Sequence, residues 1–328
     1  MEDRLNTYEI SVHPSRINVY FKSIPERSSH KIRYPIPEQF KDNYHQNKIS
    51  PVAKRKISRA IDYLIFNSRP KRLPNTLHGK GYQFRLNFIT LTLSSEQIHS
   101  DQEIKHHLLN QFLIELPKKW NVRSYIWRAE KQKNGNIHFH IITDKFIPWL
   151  ELRNSWNRIQ QKLGYVTRYR SNRLKFYSAG FKMINEGGRT RSRNVQLRAY
   201  KYGLRTGWQS PNSTDVHAIK KINNIRAYFI KYLTKSDADH DLAGRLWGCS
   251  TNLTHLAGGI TLLDSSVQED LEKIAAAAET TSYHSDYYHV YYIDFKDLQR
   301  LGCKFLILVF FQYLQQKFPD LYPASLFT

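Results

Sequence analysis

A short turn-and-strand motif near the middle of the chain constrains its fold more than any other feature. Residues 134–144 read Asn-Gly-Asn-Ile-His-Phe-His-Ile-Ile-Thr-Asp. The Asn-Gly pair is typical of a tight turn, and the β-branched and aromatic residues after it predict a strand. Because side chains alternate along a strand, Phe139 points to one face while His138 and His140 point to the other. Two adjacent imidazoles on a strand favour a divalent metal ion, although such a pair can arise by chance among 14 histidines.

The balance of charge indicates an anionic partner. The 328 residues include 50 Lys and Arg against 28 Asp and Glu, a formal net charge of +22. Such an excess favours nucleic acid first and an anionic membrane surface second. The longest apolar run, Phe305 to Phe311, is far shorter than the roughly 20 residues of a spanning helix, so we expect no membrane partner. With only Cys249 and Cys303, and no apolar signal segment near Met1, we expect the reducing cytoplasm.

The pattern of apolar residues around the histidine motif predicts an α+β fold. Residues 88–93 alternate as a strand, and a second strand at about 122–130 precedes the histidine strand. A capping box from Ser100 to Glu103 opens a helix that should end at Pro117, and another helix spans about 152–163. The order strand, helix, hairpin, helix predicts an antiparallel sheet with flanking helices on one face.

The two ends of the chain differ in composition from this central part. The N-terminal part is basic and rich in proline, which predicts an extension with one short helix at about 51–66. Nearer the C-terminus, residues 269–278 have helical propensity, and the aromatic run at 283–292 favours a buried strand over a base-stacking surface. We therefore predict three parts: a basic extension at 1–80, a central domain at 81–250 and a small C-terminal region at 251–328.

Residues 164–235 form a strongly basic segment in which Glu186 and Asp215 are the only acids. Tyrosines and a tryptophan are interleaved with its Lys and Arg residues. Single-stranded DNA needs positive charge for its phosphates and flat surfaces for its exposed bases, so this composition favours a single strand over a solvated loop without function. The candidate DNA-binding residues are Arg189, Arg191 and Arg193 in a glycine-containing loop, and Lys220 and Lys221 further along.

A helix predicted at about 215–235 carries a second motif. Its polar side chains Tyr228, Lys231, Tyr232 and Lys235 are spaced i, i+3, i+4 and i+7. At 3.6 residues per turn these four positions share one face, which places two phenols one turn apart, each followed by an ammonium group. The alternative is that both tyrosines simply pack at the edge of the core, since the chain has 21 of them.

Taken in order, three stretches resemble the three motifs of the HUH endonucleases: the strand at 88–93, the strand with His138 and His140, and the Tyr-x-x-Lys-Tyr-x-x-Lys helix. The two-tyrosine form is similar to the rolling-circle replication initiators of small single-stranded-DNA phages. A weaker match to such phage proteins is Arg245-Leu-Trp-Gly-Cys-Ser250. The resemblance covers about residues 82–250, implies an RRM-like antiparallel core, and includes no Gly-Lys-Ser/Thr loop of a fused helicase.

The resemblance implies nicking and rejoining of single-stranded DNA at a replication origin. Either tyrosine would attack the phosphodiester, and Lys231 or Lys235 would favour the phenolate or neutralise the phosphate. Mg²⁺ or Mn²⁺ held by His138 and His140 would polarise that phosphate. The product would be a 5′-phosphotyrosine link and a free 3′ hydroxyl that primes synthesis, with host helicase and polymerase as partners in a bacterial cytoplasm. An HUH-type transposase and a non-catalytic single-stranded-DNA-binding protein are the alternatives.

A third metal ligand is expected from the resemblance, as an acidic or amide side chain near the hairpin. Glu130 is the candidate, and Gln132 on the same face is the alternative. A two-residue loop would pair Glu130 with Phe139, on the wrong face. A three-residue loop with Gly135 in the left-handed conformation would pair Glu130 with His138, and this is the register that we predict.

Overall fold

A computed structural model describes most of the central part of the chain and several segments of both ends. The described residues are 4–13, 16–25, 49–68, 71–73, 82–84, 86–184, 192–219, 242–256, 259–262, 267–277, 281–284, 288–293 and 295–326. Several predicted site residues lie outside these ranges, namely Tyr228, Lys231, Tyr232, Lys235, Arg189, Arg191, Lys220 and Lys221.

Strands and helices are numbered here along the chain. The strands are β1 (Arg4–His13), β2 (Arg16–Pro25), β3 (Lys71–Leu73), β4 (Tyr82–Phe84), β5 (Leu86–Thr92), β6 (Tyr125–Lys131), β7 (Ile137–Thr143), β8 (Thr214–Ile219), β9 (Trp247–Cys249), β10 (Gly259–Leu262), β11 (Thr281–His284) and β12 (Tyr288–Ile293). The helices are α1 (Pro51–Asn67), α2 (Asp101–Ile104, continued by a π-helical stretch at Lys105–Leu109 and by Asn110–Trp120), α3 (Trp149–Gln161), α4 (Tyr165–Phe176), α5 (Arg193–Arg205), α6 (Gln268–Ala276), α7 (Phe295–Arg300) and α8 (Lys304–Lys317).

One of two compact units, Pro70–Gly248 with Asn47–Ile49, contains the histidine strand. The main sheet has five strands in the order β8-β5-β7-β6-β9, and β5 pairs antiparallel with both β7 and β8. The hairpin of β6 and β7 is also antiparallel, so the histidine strand is the central strand of the sheet. The predicted α+β fold, an antiparallel sheet with flanking helices, is confirmed.

Helices α2 and α3 supply apolar side chains to the same core as one face of this sheet. Alternation places one set of apolar residues of β5, β6 and β7 on that face, where they join one buried cluster with the apolar stripes of the helices, whereas Phe88, Ile126 and Ile142 are buried on the other face. The members of this cluster include Ile89, Leu91, Ala129, Phe139 and Ile141 from the strands, and Leu108, Phe112, Leu116, Leu152, Trp156 and Ile159 from the helices. The opposite face of β5, β6 and β7 is therefore the one that carries the histidines.

The ends of α2 test two predictions. The capping box is present, since the Ser100 side chain accepts from the backbone of Glu103 and the Glu103 side chain accepts from the backbone of Ser100. The prediction that Pro117 ends the helix is wrong, because Pro117 lies inside it and the helix continues to Trp120. A proline inside a helix removes its own backbone donor and crowds the carbonyl four residues earlier, but here the carbonyl of Pro117 still accepts from Asn121, which ends the helix with φ of 52°.

The other compact unit joins the two ends of the chain: Met1–Gln46, Ser50–Arg69 and Cys249–Thr328. Its sheet has the order β10-β1-β2-β12-β11, so N-terminal strands pair on both sides with C-terminal ones. The predicted helix at about 51–66 is confirmed as α1, the helix at 269–278 as α6, and the aromatic run forms β11 and β12. The division at 80 and 250 stays a prediction.

Aromatic packing holds the helices of this unit together. Tyr63 of α1 contacts Tyr313 of α8 and Phe318, with ring centroids 6.0 Å and 5.6 Å apart. The buried carboxylate of Asp270 accepts from the backbone N–H of Leu306 at 2.8 Å, which satisfies a donor in the first turn of α8.

Across the part of the chain that the structure describes, no helix combines the length and the apolar composition that a membrane span requires.

Candidate metal centre

The turn between β6 and β7 decides which side chains share a face with the histidines. The backbone N–H of Gln132 donates to the carbonyl of Asn136 at 2.8 Å, and that of Gly135 donates to the carbonyl of Gln132 at 2.9 Å. These two bonds close a three-residue loop in which Gly135 has φ of 83°, a left-handed conformation that suits glycine. Glu130 is therefore paired with His138, and the predicted register is confirmed.

Glu130, His138 and His140 come together on this face. One ligand atom from each side chain lies within 4.8 Å of those from the other two. The Nε2 atoms of both histidines are 3.5 Å from Oε2 of Glu130. Two imidazole nitrogens and a carboxylate oxygen at this spacing form a group that could hold a divalent metal ion.

The electrostatics of Glu130 also suit a metal ligand. Burial alone would raise the pKa of its carboxyl, but hydrogen bonds with His138 and His140, and the charges of His140 and Arg128, hold that pKa well below its usual range. Nε of Arg128, a side chain buried in β6, is 3.3 Å from Oε1 of Glu130. The carboxyl is therefore ionised at neutral pH, which is the form that binds a metal.

Two buried polar atoms of the group, Nδ1 of His138 and Oε1 of Glu130, make no hydrogen bond among the described residues, although Oε1 lies 3.3 Å from Nε of Arg128. A buried polar group without a partner is costly, and such groups concentrate at sites that bind ligands or perform chemistry. The donor set fits a bound metal ion, whereas Nδ1 of His138 lies on the other side of the ring from Nε2 and would need a partner of its own.

Neighbouring strands fix the orientation of His140. Thr90 of β5 lies directly across from it, with Oγ1 3.2 Å from Nδ1 of the imidazole. The ring of Phe88 stacks on the same imidazole with centroids 5.3 Å apart. Sequence analysis missed Thr90 and Arg128 as parts of the site. The alternation in β5 places Thr90 on a polar face, but its register with a strand 50 residues away is not encoded in any local pattern.

An Asp-His pair on the edge strand β8 lies on the same face. Asp215 pairs with Thr90 and His217 pairs with Phe88, so their side chains point to the same face of the sheet as the side chains of the Glu130, His138 and His140 group. Nε2 of His217 is 2.8 Å from Oδ2 of Asp215, and both side chains are exposed. Sequence analysis gave neither residue a role in the site, although an acid and a histidine two apart on a strand share a face.

The structure tests only part of the predicted DNA-binding segment. Arg193 opens α5 with an exposed side chain, and its guanidinium lies 5.9 Å from the centre of the Phe181 ring. The expectation that the interleaved aromatic residues provide flat surfaces for bases is wrong for Tyr165 and Trp208. Both are buried, at 0% and 6% exposure, because they fill protein cores.

The fold and this group of side chains thus define an α+β domain with two histidines and a glutamate on the face of its sheet opposite the helices α2 and α3. Residues 86–237, a little under half of the chain, match the model of a family of replication-associated proteins of the ORF2 type. The match begins with β5, contains the hairpin, α3 to α5 and β8, and extends over the tyrosine motif at 228–235. No curated protein matches the chain.

Proposed function

We propose that this protein is a metal-dependent endonuclease and strand transferase that initiates rolling-circle replication at a single-stranded DNA origin. The observation that carries the proposal is the group of Glu130, His138 and His140 within 4.8 Å of one another. This group lies inside the region that matches replication-associated proteins, and the same region contains the two-tyrosine motif. A formal net charge of +22 supports DNA as the substrate.

The metal ligands in this proposal are Glu130, His138 and His140, with Mg²⁺ or Mn²⁺ as the ion. Carboxylate oxygen suits both ions, and imidazole nitrogen adds affinity for the softer Mn²⁺. When bound, the ion supplies positive charge that polarises the scissile phosphate and offsets charge developing on its oxygens. Glu130 and His140 are buried, which restricts the movement of both ligand side chains.

Tyr228 and Tyr232 are the nucleophiles in this proposal. A phenol with a pKa of about 10 is mostly protonated at neutral pH, so Lys231 or Lys235 is assigned to favour the phenolate. The phenolate oxygen attacks phosphorus, the bond from phosphorus to the 3′ oxygen breaks, and that oxygen takes up a proton. The 5′ phosphate is then esterified to the tyrosine, which conserves a phosphodiester bond for later rejoining.

The second tyrosine allows a cycle of cleavage and rejoining. While one tyrosine carries the 5′ end, the other can cleave the origin that replication regenerates, and their roles then alternate. The released 3′ hydroxyl primes synthesis by a polymerase, and a helicase would have to open the duplex ahead of it. We therefore assign host helicase and polymerase as partners and the cytoplasm of a bacterial host as the location.

The test is a denaturing gel of purified protein incubated with labelled single-stranded origin DNA and Mn²⁺. We expect a protein-linked DNA band that is lost in His138→Ala and in the Tyr228→Phe/Tyr232→Phe double variant. The single tyrosine variants rank the two nucleophiles. His106→Ala and Tyr169→Phe, which change an exposed histidine and a tyrosine outside the motif, serve as matched controls.

Each alternative has its own result in this experiment. Cleavage without a covalent adduct would make water the nucleophile and would overturn the tyrosine mechanism. Binding without cleavage would support a single-stranded-DNA-binding protein. Adduct formation at the ends of a mobile element, but not at a replication origin, would support a transposase.

A further inference from the structure

The edge strand β8 holds Asp215 and His217 in a defined arrangement. Oδ1 of Asp215 accepts from the backbone N–H of Val216 at 3.0 Å, and Oδ2 lies 2.8 Å from Nε2 of His217. Both carboxylate oxygens are thus engaged, one by the strand and one by the imidazole. An exposed pair of this kind contributes little to stability, because water and salt screen its charges. The pair therefore orients an imidazole without adding much to the stability of the fold.

Strand register places this pair next to the proposed metal ligands. Asp215 is opposite Thr90, and Thr90 is opposite His140, so the three residues lie in one row across the sheet. His217 is opposite Phe88, whose ring stacks on that of His140 with centroids 5.3 Å apart. Because neighbouring strands are about 4.8 Å apart, the backbones of β8 and β7 are about 10 Å apart. Only β5 separates the two histidine-bearing strands, and both imidazoles project from the same face.

His217 differs from the other charged groups that β5 to β8 place on this face. His138 and His140 are proposed ligands, and an imidazole that binds a metal is neutral. The carboxyl of Glu130 is ionised, and the guanidinium of Arg128 does not release its proton in proteins. Imidazole is the side chain that gains and loses a proton between pH 5 and 8. Among the described residues of these four strands, His217 is therefore the one on this face that is suited to proton transfer and is not a proposed ligand.

The imidazole of His217 is accessible on the side away from Asp215. The side chains of the two residues are 62% and 63% exposed. Nδ1 of His217 has no hydrogen-bond partner within the described part of the chain. When the ring is protonated, its Nε2–H donates to the carboxylate, which stabilises the imidazolium, and its Nδ1–H remains available to another acceptor. This second N–H can reach an oxygen of a DNA strand bound over the sheet.

We propose that His217, oriented by Asp215, donates the proton that the 3′ oxygen takes up when the phosphodiester is cleaved. This role rests on the proposed nicking reaction, in which the source of that proton is otherwise unassigned. As the phenolate bonds to phosphorus, the bond from phosphorus to the 3′ oxygen breaks and its electron pair goes to that oxygen. The proton moves from Nδ1 of the imidazolium to this oxygen, which leaves a neutral imidazole and a 3′ hydroxyl. In rejoining, the 3′ hydroxyl returns the proton to Nδ1 as its oxygen attacks the phosphotyrosine.

The test replaces the 3′ bridging oxygen of the scissile phosphate with sulfur. A thiol has a pKa of about 8.5, so a thiolate leaves without a proton, whereas an alkoxide is a poor leaving group unless it is protonated. The single-turnover rate of adduct formation is measured at saturating DNA and Mn²⁺. With the oxygen substrate, His217→Gln should be slower than wild type by at least about a hundredfold. With the sulfur substrate, the two proteins should agree within about threefold.

Two further variants complete this experiment. Asp215→Asn removes the carboxylate but keeps the imidazole, so it should slow the oxygen substrate, by a smaller factor than His217→Gln, and leave the sulfur substrate unchanged. The matched control is His106→Gln, which changes an exposed histidine of α2 in the same unit and should alter neither rate.

Two results would overturn the role of His217. The first is equal slowing on both substrates in a variant that unfolds at the wild-type temperature, which would assign the side chain to DNA binding. The second is an unchanged rate of His217→Gln on the oxygen substrate, which would leave the proposed nicking reaction intact and make another group the donor. Absence of an adduct from wild-type protein with either substrate would instead refute the nicking reaction itself.

A measurement on the wild-type protein does not depend on the folding of a variant. Replacing water by D₂O should slow adduct formation more with the oxygen substrate than with the sulfur substrate, because only the oxygen leaving group receives a proton as it departs. Equal effects of D₂O on the two substrates would contradict proton donation to the 3′ oxygen.

Discussion

Thr90 Oγ1 lies 3.2 Å from Nδ1 of His140, on the strand next to the histidine strand. The other ring nitrogen, Nε2, faces Glu130 at 3.5 Å. A neutral imidazole can bind a metal through Nε2 only if Nδ1 carries the proton, and that proton needs an acceptor. The hydroxyl of Thr90 can accept that proton, and in that arrangement it would hold the ring in the orientation that binding through Nε2 requires.

Replacing Thr90 should therefore weaken metal binding without removing a ligand. We expect Thr90→Val to lower Mn²⁺ affinity by about tenfold, and Thr90→Ser to retain it, measured by isothermal titration calorimetry. Thr92→Val is the matched control, since the Thr92 hydroxyl lies on the same face but donates to the carbonyl of Ser213 at 3.0 Å. Equal affinity in the Val and Ser variants at position 90 would refute the role of the hydroxyl.

The Glu130→Ala variant should abolish the stabilisation of the protein by Mn²⁺. Wild-type protein at a hundredfold excess of metal over its Kd should gain about 2.7 kcal/mol in the free energy of unfolding, seen as a higher thermal midpoint. The metal-free variant should also unfold at a lower temperature, because Arg128 stays buried beside the missing carboxylate. Gln132→Ala tests the alternative ligand. If it removes the metal response while Glu130→Ala keeps it, the assignment is wrong.

Local sequence patterns predicted most of this centre, for a physical reason. The alternation of β7 placed His138 and His140 on one face, and the turn chemistry at Gly135 fixed the register that brings Glu130 to them. Both features involve residues close in sequence, where strand geometry and turn type leave few choices. The histidine pair was therefore recognisable from the sequence, whereas a third ligand was expected only from the family resemblance, and the predicted register made Glu130 the candidate.

Features that depend on distant parts of the chain were not predictable in the same way. Thr90 reaches His140 through a strand pairing across 50 residues, and β1 pairs with β10 from the opposite end of the chain. The aromatic residues of the basic segment illustrate a second limit. Composition alone does not reveal whether Trp208 is open to bases or packed under a helix, and here it is packed.

A methyl group added at position 203 tests how tightly the ring of Trp208 packs against α5. We expect Gly203→Ala to lower the free energy of unfolding by about 1–3 kcal/mol, because the added carbon would overlap the buried ring of Trp208. Urea denaturation followed by tryptophan fluorescence provides the measurement. Ala199→Gly, on the exposed side of the same helix, should cost no more than about 1 kcal/mol through helix propensity alone. If Gly203→Ala is no less stable than wild type, the ring does not pack against this helix.

The two cysteines should differ in reactivity. Neither forms a disulfide, but Cys303 is fully buried, whereas Cys249 is partly exposed. Burial, together with the nearby charge of Asp270, raises the pKa of the Cys303 thiol to about 11. The reactive thiolate of Cys303 is therefore scarce at pH 8 and becomes abundant only as the pH approaches the folded pKa.

Alkylation of the native protein with iodoacetamide at pH 8 should therefore modify Cys249 and leave Cys303 unmodified, as detected by mass spectrometry of tryptic peptides. In urea both cysteines should react, because the pKa of Cys303 returns to its ordinary value and the thiol becomes accessible. A Cys249→Ser variant should show almost no labelling until it unfolds. Rapid labelling of Cys303 in the folded protein would mean that α8 opens readily from Asp270, whose carboxylate accepts from the backbone of Leu306 at 2.8 Å.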